Sequence, residues 1–211
     1  MQPIQVSVGP LTAANDQAIA AAQSPSGTSF TLTSSPVTLD APRQVVITSA
    51  GDNSGISFVI TGTSFSNQPI SETVAGANAS TSLSTLMFKT VSSIVASGAI
   101  TGAVKAGTTG VATTRWVRFD SFANAQSAVQ VDVSGTVNYT VQVTMDDPDD
   151  PISPTTPVSC TWLSSPDTAV VGQAAAKYSY FAYTPTFARV LLNSGSGSAT
   201  ATFAQFSNAP Y

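Results

Sequence analysis

The sequence predicts an all-β protein built as two consecutive antiparallel β-sandwich domains, with at most one short N-terminal helix. Three observations lead there. Apolar and polar residues alternate with a period of two over long stretches. Short β-rich runs are separated by Gly, Asp, Asn and Ser turns at the spacing of sandwich strands. The 211 residues suffice for one large or two small all-β domains.

The first forty residues are poor in large apolar side chains and contain Pro3, Pro10, Pro25 and Pro36. They read as an arm that lies across a neighbouring molecule and orders on it. The competing reading packs residues 11–40 into the first sandwich as helix and strand. The one helix is expected at "NDQAIAAAQ" (15–23), with Asn15 or Asp16 as N-cap and an end before Ser24-Pro25.

Four stretches then share one syntax. "RQVVITSAGDNSGISFVITGT" (43–63) reads as two strands around a turn at 50–55, and "IVASGAITGAVKAG" (94–107) as two short strands around Ser-Gly. "ARVLLNSGSGSATATFAQF" (188–206) reads as a hairpin around 194–198. The clearest is 129–145, where odd positions run Val129, Val131, Val133, Gly135, Val137, Tyr139, Val141, Val143, Met145 and even ones are polar. A single strand of that length would extend over ~55 Å, so a hairpin folding at Ser134-Gly135-Thr136 is more economical. A two-residue loop would oppose Val131 to Asn138 and mix the faces. A three-residue loop opposes Val133 to Val137, Val131 to Tyr139 and Val129 to Val141, with Tyr139 inward and Asn138 outward. The recurrence hints at two related sandwich units. Their seam is expected near "KAGTTGVATTRW" (105–116), giving residues 1–112 as arm plus first sandwich and 113–211 as the second.

Composition narrows the chemistry. Charged residues are 9% of the chain, against about 25% in ordinary soluble proteins. The net charge of −4 divides as −1 over residues 1–112 and −3 over 113–211. No basic patch exists to neutralise phosphates, so nucleic acid is not an expected partner. "MQPIQVSVGP" shows no basic n-region and no apolar h-region, and no run approaches ~18 apolar residues, so neither a signal peptide nor a membrane partner is expected. The single cysteine, Cys160, cannot form an intramolecular disulfide and reads as a buried thiol.

Histidine is absent, which removes Ser-His-Asp catalysis and imidazole ligation. "AGTTG" (106–110) lacks the Gly-Lys-Ser/Thr ending of a phosphate loop, and no Gly-x-Ser-x-Gly elbow occurs. A carboxylate pair could still hydrolyse glycosides, but Glu72 is the only glutamate and no Asp pair stands out. Catalytic, cofactor-binding and metal-ligating residues are therefore expected to be none, and the chain is expected not to be an enzyme.

"TVQVTMDDPDDPISPTTP" (140–157) puts Asp146, Asp147, Asp149 and Asp150 within five residues. A calcium loop needs six to eight oxygens around a sharp turn, usually with an Asp-x-Asp-x-Asp-Gly spacing that is absent here. The flanking Pro148, Pro151, Pro154 and Pro157 favour a strand-ending loop over a calcium site. The late aromatics Trp162, Tyr178, Tyr180, Phe181, Tyr183 and Phe187 admit two readings: a sugar-stacking platform, or sandwich core plus subunit contact, which is preferred. The sequons at Asn78 and Asn138 carry little meaning in a chain so rich in Ser and Thr.

The run 12–110, with "ITSAGDNSGISFVITGT", "ISETVAGAN" and "FKTVSSI", resembles a module of tailed-bacteriophage structural proteins. "VDVSGTVNYTVQVTMDD", Trp162 and "PTFARVLLNSGSGSATATF" resemble the partner module that follows it, so the likeness spans about residues 10–206. "TSFSNQPISE" (63–72) departs from the acidic-Gly-Asn turn expected there, a loop difference. The resemblance implies a non-enzymatic virion component assembled in the host cytoplasm, a capsid decoration (cement) or head-neck (collar) protein. Its implied partners are the major capsid protein, portal or neck proteins and copies of itself, and it carries over no catalytic residue and no cofactor. The alternative is a tail appendage or fibre module that binds a host receptor or surface glycan.

Overall fold

The computed structural model describes residues 3–120, 125–147 and 159–207. The strands are β1 (Ile4–Val8), β2 (Asn15–Gln23), β3 (Val37–Ser49), β4 (Ser57–Thr63), β5 (Pro69–Ala75), β6 (Thr81–Ala96) and β7 (Val104–Thr113). They continue as β8 (Val117–Arg118), β9 (Ala125–Ser134), β10 (Val137–Thr144), β11 (Leu163–Ser164), β12 (Lys177–Phe181), β13 (Phe187–Gly195) and β14 (Ser198–Ser207). One 3-10 turn, Thr168–Val170, is the only helical element among the described residues. The protein is all-β and antiparallel, with sandwich-like sheets. Two compact units form: Thr12–Ala112, and the residues on either side of it together.

In the first unit the hydrogen-bonded order is β7-β3-β6-β4-β5, with β2 on β7. Strand β4 alternates strictly, so Phe58 and Ile60 are fully buried while Val59 and Thr61 are half-exposed. They pack with Ile19, Val45, Ile47, Phe88, Val91 and Ile94 into one core, and Phe30 meets Phe58 edge-on at 5.9 Å between ring centroids. Each fully buried Phe or Ile contributes about 1.5–3 kcal/mol relative to exposure.

Residues 15–23, expected as a helix, form strand β2 instead. The Asn15 side chain does hold a backbone N–H, but that of Gln17 at 2.9 Å, an Asx-type contact two residues on. The strand wins because its partner fits closely. A side chain at Gly107 would stand 2.0 Å from the Asn15 carbonyl, so glycine there admits the β2 backbone, and Ile19 and Ala20 become fully buried. Tertiary burial overrides the helix propensity of the alanines.

In the second unit one sheet runs β1-β14-β9-β12, and the other has the order β11-β10-β13, with β8 on β13. The arm expected to accompany the first sandwich is in part β1, which pairs with β14 from Ile4↔Phe203 to Val8↔Ala199 and buries Val6 and Val8. Phe119 ties the core, with Phe181 and Phe203 edge-on at 5.8 and 5.9 Å.

The hairpin expected at Ser134-Gly135-Thr136 is not one. β9 pairs with β14 and β12, whereas β10 pairs with β13 and β11, so the chain turns out of one sheet into the other, as an arch. The stretch around 194–198 is likewise an arch, since β13 and β14 lie in different sheets, whereas the turns at 50–55 and 97–103 stay within one sheet: β3 and β4 flank β6, and β6 and β7 flank β3. The two units follow one pairing rule. In the first, β3 pairs with β7 and β4 with β6, and in the second β9 pairs with β14 and β10 with β13; the first unit adds a β3–β6 pairing that joins its strands into one sheet. In both, a preceding strand adds to the last partner: β2 to β7, β1 to β14.

The alternation holds for Val129, Val131, Val137, Tyr139 and Val141, which are buried, but Val133 and Val143 are half-exposed, Met145 is exposed, and Thr140 and Thr144 are buried. Val131 and Tyr139 are both fully buried, though from opposite sheets, and the Tyr139 hydroxyl donates to the Ala175 carbonyl at 3.1 Å. Asn138 points the other way but is half-covered. Its Nδ2 donates to the Gly172 carbonyl at 3.0 Å and its Oδ1 accepts from Asn193 Nδ2 at 2.7 Å. Tyr139→Ala should therefore cost about 3–5 kcal/mol, and Asn138→Ala about 1 kcal/mol, measured by urea unfolding. Equal costs would contradict the inward placement of Tyr139.

Burial of the ring, and then the charge of Asp132, pushes the Tyr139 phenol up to about 12. An unfolded tyrosine titrates near 10, so the folded chain holds this proton more tightly. The associated stability is whole below about pH 10 and is lost as pH rises through about 12. Thermal melts across the alkaline range should fall more steeply for the wild type than for Tyr139→Phe, and parallel curves would contradict the shift.

Candidate functional site

The Asp cluster lies partly within the described residues. The Asp146 carboxylate accepts from the Thr161 N–H at 2.6 Å, while Asp147 pairs with Arg118 at 3.1 Å. Asp149 and Asp150 lie outside the described residues. Among the described residues no three Asp, Glu or Cys side chains are grouped to hold a metal ion. The described half of the cluster is thus committed to holding the end of β10 against neighbouring chain, which is turn chemistry.

A buried arginine braces the first unit. Arg43, 2% exposed, donates from Nη1 to Asp40 at 3.2 Å and to the Thr12 carbonyl at 2.9 Å, and from Nη2 to the Thr109 carbonyl at 2.5 Å. Partial burial pushes the Asp40 carboxyl up, but the Thr12 N–H and the Arg43 charge outweigh it and hold the group below its ordinary value. An open depression of about 530 Å³ borders this pair, with Leu39, Val37 and Ala18 on its apolar side. Both terminal nitrogens of the guanidinium are bonded to protein carbonyls or Asp40, while Nε is buried without a partner, so the arrangement braces the fold.

The late aromatics divide. Phe181 and Phe187 belong to the core. Trp162 stacks between Trp116, at 6.1 Å, and the Arg189 guanidinium, at 4.1 Å from its ring centroid, with Arg189 Nε donating to Gln142 at 2.9 Å. Burial pulls the Arg189 guanidinium below its ordinary value. Cys160 is half-exposed, where a buried thiol was expected.

Tyr178, Tyr180 and Tyr183 are 82%, 74% and 84% exposed, so of the expected sandwich core plus subunit contact they are outside the core. Tyr178 and Tyr180 sit on β12, an edge strand, where alternation sends Ser179 and Phe181 inward and the tyrosines outward. Ser179 fixes the strand from below, donating its hydroxyl to Asp167 at 2.6 Å. That bond and the Ala169 N–H at 2.9 Å hold the Asp167 carboxyl below its ordinary value.

Register arranges the outward side chains of this sheet in rows. Tyr178 is level with Gln130, Thr202 and Gln5; Tyr180 with Ala128 and Ala204. The row beyond Tyr178 holds Asp132, Thr200 and Ser7. Gln130 Nε2 donates to the Asp132 carboxylate at 3.0 Å, which orients its amide. At the β1 end, Gln5, Ser7 and Thr200 meet Arg115 around an open depression of about 400 Å³. Sequence reasoning singled out the tyrosines and missed the amides and hydroxyls beside them. Their signal was present, as the even positions of β9 and the alternate polar positions of β1 and β14, but such positions are ordinary solvent-facing ones until register sets them beside tyrosine.

No protein-family model, curated protein or solved structure matches the chain. Among the described residues, no helix is long and apolar enough to cross a membrane.

With the acidic turn held by Thr161 and Arg118, folding should need no divalent cation. Addition of a chelator at fixed ionic strength should leave the melting temperature unchanged, whereas a calcium ion at a hundredfold excess over its Kd would have contributed about 2.7 kcal/mol. A fall of many degrees would reassign the loop as a metal site.

Proposed function

We propose that the protein is a non-enzymatic structural component of a tailed-bacteriophage virion, a capsid decoration or head-neck protein that stabilises the particle through contacts with other virion proteins and with its own copies. In this reading neither nucleic acid nor membrane is a partner, and no cofactor is required. The motifs that resemble phage structural modules support it.

The observation that carries it is how the few charges are placed. Of seven cationic side chains, Arg43, Lys89, Lys105, Arg118 and Arg189 bond within the chain. Lys105–Asp16 and Arg118–Asp147 cancel as pairs, and Glu72 is held by the N–H groups of Thr85 and Leu86 at 2.8 and 2.9 Å. What remains outward is largely hydroxyl, amide and edge strand, with little repulsion to keep copies apart.

Association of this kind should tolerate salt. Sedimentation of the purified protein should show a defined oligomer at both about 0.05 M and about 1 M NaCl, because screening removes only charge-borne contacts. Quantitative mass spectrometry of purified particles should find the protein at a fixed copy number, on the order of hundreds for capsid decoration and far fewer for the neck. A strict monomer that mild salt washes from particles would overturn the assignment.

A further inference from the structure

We propose that the outer face of the sheet β1-β14-β9-β12 binds a neutral glycan chain, with Tyr178 and Tyr180 stacking on sugar rings and Gln130, Thr202 and Gln5 bonding their hydroxyls. This is independent of the virion assignment and rests on the face alone.

A pyranose ring offers an apolar C–H surface and a rim of hydroxyls, each both donor and acceptor. The face offers the complement. Two tyrosines, 82% and 74% exposed, stand two residues apart on one strand, about 6.6 Å along its backbone. In the same register row follow side chains that both donate and accept: the Gln130 amide, the Thr202 hydroxyl and the Gln5 amide. From Tyr178 to Gln5 is three strand intervals, about 14 Å, the reach of a short oligosaccharide. The depression at Gln5, Ser7, Thr200 and Arg115 then receives the end of the chain. All these groups but Arg115 stand on paired strands, and Asp132 presets the Gln130 amide, so little order need be imposed on binding.

The same chemistry disfavours the other occupants. A second protein copy at this face would have to match each of Gln5, Gln130, Thr202 and Ser7 with a polar group of its own, and each amide or hydroxyl left without a partner costs about 1–3 kcal/mol. Interface centres are apolar, whereas this row is polar from its second member onward. An anionic polymer would meet Asp132 in the adjoining row and a chain of net charge −4, against Arg115 alone at the depression.

Affinity electrophoresis of the full chain through gels containing dextran, glycogen or hydroxyethylcellulose, together with an array of neutral oligosaccharides, tests this. Retardation or array binding by a neutral glycan is expected. Tyr178→Ala and Tyr180→Ala should each weaken it about tenfold or more at unchanged melting temperature, and Gln130→Ala should weaken it less. Leu83→Ala, an exposed position in the other unit, should bind as wild type. Binding to no neutral glycan, or full binding by both tyrosine variants, would overturn the inference. Selective capture of acidic glycans lost in Arg115→Ala would overturn the neutral specificity. Dissociation of an oligomer by Tyr178→Ala without any glycan binding would assign the face to self-contact instead.

Discussion

Each unit depends on two bends set against one another, and that depends on how closely two backbones can approach there. In the second unit a side chain at Gly197 would stand 2.1 Å from the Ser134 carbonyl, and one at Gly195 would stand 2.3 Å from that of Thr136. The absence of both lets the Gly197 N–H donate to the Thr136 carbonyl at 2.9 Å. The first unit solves the same problem with an amide. Asn53, 2% exposed, donates from Nδ2 to the Thr101 carbonyl at 3.0 Å and accepts the Thr101 N–H at 2.8 Å. Buried backbone groups in a bend need partners, and each bend finds them in the other. Once the bends are seated, the pairing of β3 with β7 and of β9 with β14 follows.

The arrangement explains what the sequence could and could not convey. Alternation specifies which side chains face inward, and it did so for Val129, Val131, Val137, Tyr139 and Val141. It is silent on whether consecutive strands pair in one sheet or face each other from two. A hairpin and an arch demand the same odd-even pattern, and Ser134-Gly135-Thr136 suits either. The choice is made by contacts with 195–198, some sixty residues away by the kind of long-range adjacency that no local window contains. Residues 15–23 fail for a related reason: Asn15 caps a turn as readily as a helix, and Gly107, which decides between them, belongs to another strand.

The candidate site was legible in half. Tyr178 and Tyr180 on a common strand face follow from period two. That this face is the outer one depends on β12 being an edge strand with Phe181 in the core, and the row from Tyr178 to Gln5 requires strands from both ends of the chain. Rigid sheets make such a face useful, since side chains on paired strands keep their spacing where loop residues would not. The loop at 146–150, which draws the eye in the sequence, is tied in its described part to Thr161 and Arg118.

The pairing of β1 with β14 makes the first unit an insertion within the second. Strand β1 leaves the ribosome before any of its partners, and β14 follows every other strand of the sheet, so β1 remains unpaired while the intervening unit folds. Closing a disordered loop of that length would carry an entropy cost that grows as about (3/2)RT ln n. Arg43 shortens the path: it holds the carbonyl of Thr12, at one end of the insert, and its backbone is paired with Ala112, at the other. A folded first unit therefore spans its hundred residues as a compact clasp, and vectorial synthesis builds that clasp before the strand it must deliver is needed.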